Sequence, residues 1–191
     1  MTDGCIKEFE TVSLILRSSC ESRGVDGFCL AWIKLERQLR KLAANIVYQA
    51  STVRYSDQAC LRKALYDNAG LSHRTFMGAI HHLSGMSVKD LIGERYRTLK
   101  NAVDASYSIR QKIFHGQQTE KRLGREALIG HIDDVREWCG ALSDASMHHF
   151  GYDGFSGTTS LFKTNKPELI AAVDKALQPK GWEEYVKTFQ R

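Results

Sequence analysis

Between residues 28 and 48 apolar side chains recur at steps of three and four: Trp32, Leu35, Leu39, Leu42 and Ile46, with Lys34, Arg37, Gln38 and Lys41 on the opposite face. That period predicts a long amphipathic helix. The 24 residues at the N-terminus are weakly patterned, with one apolar burst at Val12, Leu14, Ile15 and Leu16. A second helix is expected from about Asp57 through Leu61, Ala64 and Leu65, ending by Asn68-Ala69-Gly70. Ser72 reads as the N-cap of a short helix through Phe76, Ile80 and Leu83 that closes at Gly85. Ser87 with Asp90 resembles a capping box ahead of Val88, Leu91, Ile92, Tyr96, Leu99 and Val103. A helix unbroken from there to Phe114 has 28 residues and is about 42 Å long; a kink is expected, if anywhere, near residues 105–108.

His115-Gly116 reads as a helix end. The next helix is expected from about Glu120, with Leu123, Ala127, Leu128, Ile132, Val135, Trp138 and Leu142 on one face. Residues 151–157 (G-Y-D-G-F-S-G) read as a loop. Asn165 and Glu168 are expected to cap a helix carrying Leu169, Val173 and Leu177. Trp182, Tyr185, Val186 and Phe189 suggest a last amphipathic turn or two. There is no period-2 strand pattern and no internal repeat. The fold class expected is all-α, with an N-terminal segment at 1–24, a helical bundle at 25–148, and a C-terminal loop and short helical appendage at 149–191.

Composition narrows the class. The chain has 191 residues, 42% of them hydrophobic and 26% charged, which excludes a largely disordered protein and suffices for one domain with a proper core. Its two prolines, Pro167 and Pro179, leave the rest free for long helices, since proline inside a helix costs about 3 kcal/mol. Cys5, Cys20, Cys29, Cys60 and Cys139 are odd in number, widely spaced and never C-x-x-C. That is neither a disulfide framework nor a zinc ribbon, and it favours a reducing cytosol. No apolar run approaches the roughly 18 residues of a membrane span, and Met-Thr-Asp-Gly is not a signal peptide. A soluble cytoplasmic protein is expected.

The net charge of +5 is unevenly distributed. Residues 1–30 carry −2, residues 31–125 carry +10 and residues 126–191 carry −3. A basic centre between acidic ends suggests a polyanionic partner contacted there, although solvated helix faces give the same count.

Within that basic centre lies Ser108-Ile-Arg-Gln-Lys-Ile-Phe-His-Gly116, with Arg110 and His115 separated by four residues. Arg followed by His at this range of spacings is expected by chance roughly 1.5 times in such a chain, and three cases occur: Arg74…His81, Arg110…His115 and Arg125…His131. Only the Arg110 case has a polar residue directly after Arg, an apolar pair inside and Gly directly after His. It also falls late in a long helix, just before the helix expected to end the core.

Here the chain resembles the HEPN superfamily of small helical bundles, many of them ribonucleases, whose signature is R-x4–6-H and which reads R-Q-K-I-F-H-G in this sequence. The likeness covers roughly residues 28–145 and departs from the commoner pattern in carrying Gln111 where Asn is usual. It implies a HEPN-like helical bundle, a homodimer that pools two motifs in one cleft, and RNA as substrate. It also implies a setting in toxin–antitoxin or anti-phage defence, with an antitoxin or another defence protein as a further partner.

The residue types suit that chemistry. Metal-independent RNA cleavage needs a group that moves protons near neutral pH and a cation to offset charge on the phosphoryl oxygens. Histidine supplies the first and arginine the second, so Arg110 and His115 are the candidate catalytic residues. Five positions along a helix separate them by about 140°, so they need not converge in one protomer. The same pair also fits a structural role, with His115 at a helix C-terminus and Arg110 in a surface ion pair. Gln111, Lys112 and Glu36 are candidate supporting or substrate-binding residues. Glu36 could orient Arg110, as acidic residues do in some relatives, or pair with Arg40 one turn on.

Other chemistry is thinner. His81-His82 and His148-His149 lack acidic or cysteine neighbours at ligand spacing, so no metal and no cofactor is expected. No P-loop and no G-x-G-x-x-G occurs. Cys139 is expected in the core beside Trp138. A competing reading takes Leu71 to Phe76 and the Arg95–Arg97 helix as a helix-turn-helix, with His73, Arg74 and Thr75 reading DNA bases. A third takes the bundle as a silent binding or dimerisation module.

Overall fold

A computed structural model of the chain describes residues 1–67, 72–116 and 124–188. These form α1 (Asp3–Arg17), α2 (Arg23–Tyr48), α3 (Gln58–Tyr66), α4 (His73–Ser84), α5 (Val88–Ile92), α6 (Tyr96–Phe114), α7 (Arg125–Phe150), α8 (Pro167–Leu177) and α9 (Gly181–Thr188), with no strand among the described residues. The fold is all-α. Among the described residues no helix is long and apolar enough to cross a membrane.

The core is built on α2 and α7. Trp32, Leu35, Leu39, Leu42 and Ile46 from α2 are completely buried, and so are Ile132, Val135, Trp138 and Leu142 from α7. Side chains of this size contribute about 1.5–3 kcal/mol each when fully buried, which makes the α2–α7 pair the main source of cohesion. Helices α1 and α4 pack on α2, α6 and α5 pack on α7, α8 covers α4, and α9 meets α3. Cys139 is fully buried beside Trp138, and burial pushes its thiol well above the ordinary value.

Local signals set several helix ends. Ser72 Oγ accepts from the Thr75 N–H at 3.3 Å, and α4 stops at Gly85 with φ +72. Ser87 and Asp90 form a reciprocal capping box at the start of α5, with N–H···O distances of 3.1 and 3.0 Å. The sequence leaves open whether one helix runs from there to Phe114, and the structure divides it. Gly93 takes φ +71 and ψ −140, a backbone that side-chain-bearing residues avoid, and a 3₁₀ turn over Gly93–Arg95 leads into α6. Residues 105–108, the place the sequence allows for a kink, are regular helix within α6.

Three other expectations change. The weakly patterned N-terminus is the 15-residue helix α1, which buries Cys5, Phe9 and Val12 in the common core. That stripe is narrow, and the exposed Ile6 and Leu14 beside it mask its period. Helix α8 is capped at Lys166 with Pro167 as its first residue, while Asn165 sits before it at φ +54. The polar side of α2 is not all solvated: Lys34 and Gln38 are buried.

Part of that polar side holds the segment after α7. Gln38 Nε2 donates to Cys139 O and Asp153 O at 3.0 and 3.2 Å, and Asn45 Nδ2 donates to Ser160 O at 2.8 Å. Gln49 Nε2 donates to Phe162 O at 2.9 Å while its Oε1 accepts from the Thr164 N–H at 2.9 Å. A loop without regular structure is thereby supplied with the partners that buried carbonyls require. The expected helix end at Asn68-Ala69-Gly70, Leu71, the helix start at Glu120 with Leu123, and Phe189 lie outside the described residues.

Candidate functional site

The last turns of α6 bring together most of the residues that the sequence singles out. Residues three and four apart on a helix are neighbours, and α6 uses that spacing for Tyr107, Arg110, Gln111 and Phe114. Arg110 Nη1 donates to Gln111 Oε1 at 2.6 Å, and Gln111 Nε2 donates to Tyr107 Oη at 3.1 Å. The Arg110 guanidinium lies over the Phe114 ring, 4.5 Å from its centroid. Gln111 therefore supports Arg110 with one end of its amide and is anchored by the other.

Helix α2 completes the arrangement. Glu36 Oε1 stands 3.7 Å from Arg110 Nη2 and accepts from the Trp32 indole N–H at 2.8 Å. Glu36 thus lies against Arg110, while Arg40 reaches over the Phe76 ring at 5.6 Å. Arg110 keeps about a quarter of its side chain exposed, and its Nε is buried without a hydrogen-bond partner among the described residues. Cys29, two turns before Glu36, belongs to the same surroundings. Burial and the Asp26 charge raise its thiol above the ordinary value, and Arg110 pulls in the opposite direction.

His115 occupies the C-cap position of α6, its N–H bonded to Gln111 O at 3.1 Å, and Gly116 follows at φ +62. The residue is exposed, and its imidazole makes no hydrogen bond or ion pair with the described residues. No hydrogen bond joins it to Arg110, in line with the 140° between the two positions. Lys112 is half-buried, with no hydrogen bond or ion pair to the described residues.

Sequence reasoning missed the aromatic cluster around Tyr107, which anchors Gln111. The Tyr107 ring lies 4.8 Å from that of His73 and 5.8 Å from that of Trp32, and the Arg74 guanidinium lies 5.5 Å above Tyr107. Tyr107 had a signal, since it precedes Arg110 by three residues and Gln111 by four. His73 had none, because its partners come from other helices. It is 2% exposed, and burial, followed by the Arg74 charge, lowers its pKa to about 4. A histidine so enclosed does not read DNA bases, and α4 itself is sandwiched between α2 and α8. Of the helix-turn-helix trio, Arg74 is exposed, while Thr75 is half-buried with its hydroxyl 3.0 Å from Ser72 Oγ.

The remaining Arg–His pairs lead elsewhere. His131 Nδ1 lies 3.0 Å from Ser106 Oγ and 3.7 Å from Asp134, while Arg125 is near Glu126. His148 and His149 pack ring edge to ring face. Among the described residues no three His, Cys, Asp or Glu side chains are grouped to hold a metal ion.

No protein-family model, curated protein or solved structure matches this chain. The functional reading therefore rests on the residues themselves.

Proposed function

We propose that the protein is a HEPN-like, metal-independent endoribonuclease that works as a homodimer. The observation that carries this reading is the C-terminal end of α6, where a guanidinium held by Glu36 and Gln111 shares one helix end with an exposed imidazole that has no partner among the described residues. Arg110 binds the scissile phosphate and offsets the charge that develops on its oxygens. His115 takes the proton of the attacking ribose 2′-hydroxyl, or delivers one to the departing 5′-oxygen. The products are a 2′,3′-cyclic phosphate and a 5′-hydroxyl.

One protomer does not bring the two side chains together, so the reaction centre is composed from two. Large apolar side chains border the site: Phe114 under Arg110 is 47% exposed, and Ile33, one turn before Glu36, is 49% exposed. Such side chains beside a functional group suit a protein partner, here a second copy. The setting proposed is a growth-arresting toxin or anti-phage effector restrained by an antitoxin or a related partner.

The test is RNA cleavage in EDTA by the wild type, Arg110→Ala and His115→Ala. Each substitution is expected to lower the rate at least about 100-fold, and RNA with 2′-hydrogens should resist cleavage. Activity that requires Mg²⁺, or that survives both substitutions, would sink the mechanism. Folded, dimeric protein without any cleavage would favour the silent dimerisation module.

A further inference from the structure

A cleft of about 720 Å³ lies between the start of α1, the middle of α2 and the loop at 155–158. One of its walls carries Lys34, whose side chain is 8% exposed. An ammonium has three donors, and among the described residues Lys34 Nζ makes a single hydrogen bond, to Glu8 Oε1 at 3.0 Å. The same oxygen accepts from Arg37 Nη1 at 2.8 Å, so one carboxylate oxygen answers two cations. Lys7 lines the cleft as well. Lys41, one turn along α2, donates to Phe155 O at 3.2 Å, and burial and then the neighbouring Arg37 charge hold its ammonium below the ordinary value.

The nearby carboxylates do not absorb this positive charge. Asp153 is fully buried and accepts from the Phe155 and Ser156 N–H groups and from the Ser156 and Thr2 hydroxyls. Its oxygens are already occupied. Asp3 lines the cleft too, opposite in sign to Lys7; both are exposed to solvent, where their fields are screened, so the buried Lys34 and the Arg37 fork set the charge of the cleft. The loop adds neutral donors: Gly157 turns at φ +77, and the N–H groups of Gly157 and Thr158 bond to none of the described residues. Backbone N–H groups at such turns form anion-binding concavities.

A buried ammonium with unused donors, a guanidinium able to bind two oxygens at once and free loop amides are a phosphate-recognising set. We infer that this cleft binds a phosphate group, carried by a free nucleotide or by an RNA chain. It is separate from the Arg110 centre, because Arg37 and Glu36 are consecutive on α2 and so diverge by about 100° around its axis. The inference stands whether or not Arg110 and His115 cleave RNA.

Calorimetric titration at low salt tests it with three probes: inorganic phosphate, adenosine 5′-monophosphate and a short 2′-O-methyl RNA that cannot be cleaved by 2′-hydroxyl attack. Arg37→Ala is the deciding variant, since Arg37 is 53% exposed and its loss spares the fold; Lys34→Met is the second. Binding of phosphate or the mononucleotide that weakens about tenfold or more in both variants supports a nucleotide site. The same loss confined to the 2′-O-methyl RNA supports a chain phosphate. If no probe binds, or binding is the same in wild type and Arg37→Ala, the inference is overturned. RNA cleavage by the His115→Ala variant is a separate readout that this result does not touch.

Discussion

One oxygen of Glu36 serves both Trp32 and Arg110: it accepts from the indole N–H at 2.8 Å and faces the guanidinium at 3.7 Å. Glu36→Gln keeps an acceptor for the fully buried indole and removes only the charge. Because the ion pair is partly exposed, this change is expected to cost less than about 1 kcal/mol. Glu36→Ala leaves a buried N–H unpaired and should cost about 1–3 kcal/mol. Both variants should lower RNA cleavage about tenfold by releasing Arg110. Chemical denaturation and cleavage rates measure the two effects separately, and full activity in Glu36→Gln would remove Glu36 from the site.

His73 should make stability fall in mild acid. Its folded pKa of about 4 lies below the ordinary 6.5, so the unfolded chain takes up a proton before the native protein does. Stability is unaffected by this group above pH 6.5, declines as pH drops from there to about 4, and levels off below. The total change is about 3 kcal/mol. In His73→Phe, whose ring suits the space between Trp32 and Tyr107, unfolding free energies over pH 4–7 should lose that slope. An unchanged slope would assign the acid sensitivity to other groups.

Asp153 should be among the most costly positions to truncate. Burial pushes its carboxyl up, but hydrogen bonds from Ser156, Phe155 and Thr2 outweigh it and hold the group below the ordinary carboxylate value. Its contribution is therefore present above the unfolded pKa and is lost as the pH falls through the lower folded value. Asp153→Ala strands two backbone N–H groups and two hydroxyls, a loss expected to exceed about 3 kcal/mol. Hydrogen exchange at Phe155 and Ser156 should accelerate in the variant. Stability within about 1 kcal/mol of wild type would contradict the assignment.

Gly93 and Gly78 make a matched pair. A Cβ at either meets nothing within 4 Å, so backbone conformation alone decides the outcome. Gly93→Ala forces a side chain onto φ +71 and should cost about 1–3 kcal/mol. Gly78→Ala, on the exposed face of α4, should stabilise by about 0.5–1 kcal/mol. Thermal melts of the two variants should move in opposite directions.

What was legible in the sequence was local. The stripe of α2, the Ser72 cap and the Ser87–Asp90 box are interactions within a few residues, and their spacing announces them. The break at Gly93 was not, because a glycine in a helical pattern does not reveal the sign of its φ. Gln38 showed only as part of a polar face, since periodicity separates apolar from polar positions but does not say what covers the polar ones; the loop at Asp153 covers it. His73 looked available for the same reason, with Trp32 and Tyr107 far away in sequence. At the candidate site, Arg110 and His115 were visible as a pattern, whereas the cluster of Trp32, His73 and Tyr107 that anchors Gln111 through the Tyr107 hydroxyl exists only after α2, α4 and α6 have packed.

Side chains of α2, and of Gln49 just past its end, grip the segment that follows α7 by its main chain. Gln38, Lys41, Asn45 and Gln49 meet the carbonyls of Asp153, Phe155, Ser160 and Phe162 in ascending order on both strings. Those carbonyls belong to any residue, so the identity of most loop side chains matters little to the grip. Their number matters a great deal. Deleting one residue between 156 and 159 would displace every later acceptor by up to about 3.5 Å, out of step with a helix that does not stretch. Past its anchored start at residues 152–155, the segment acts as a ruler laid against α2 and is intolerant of any change in length.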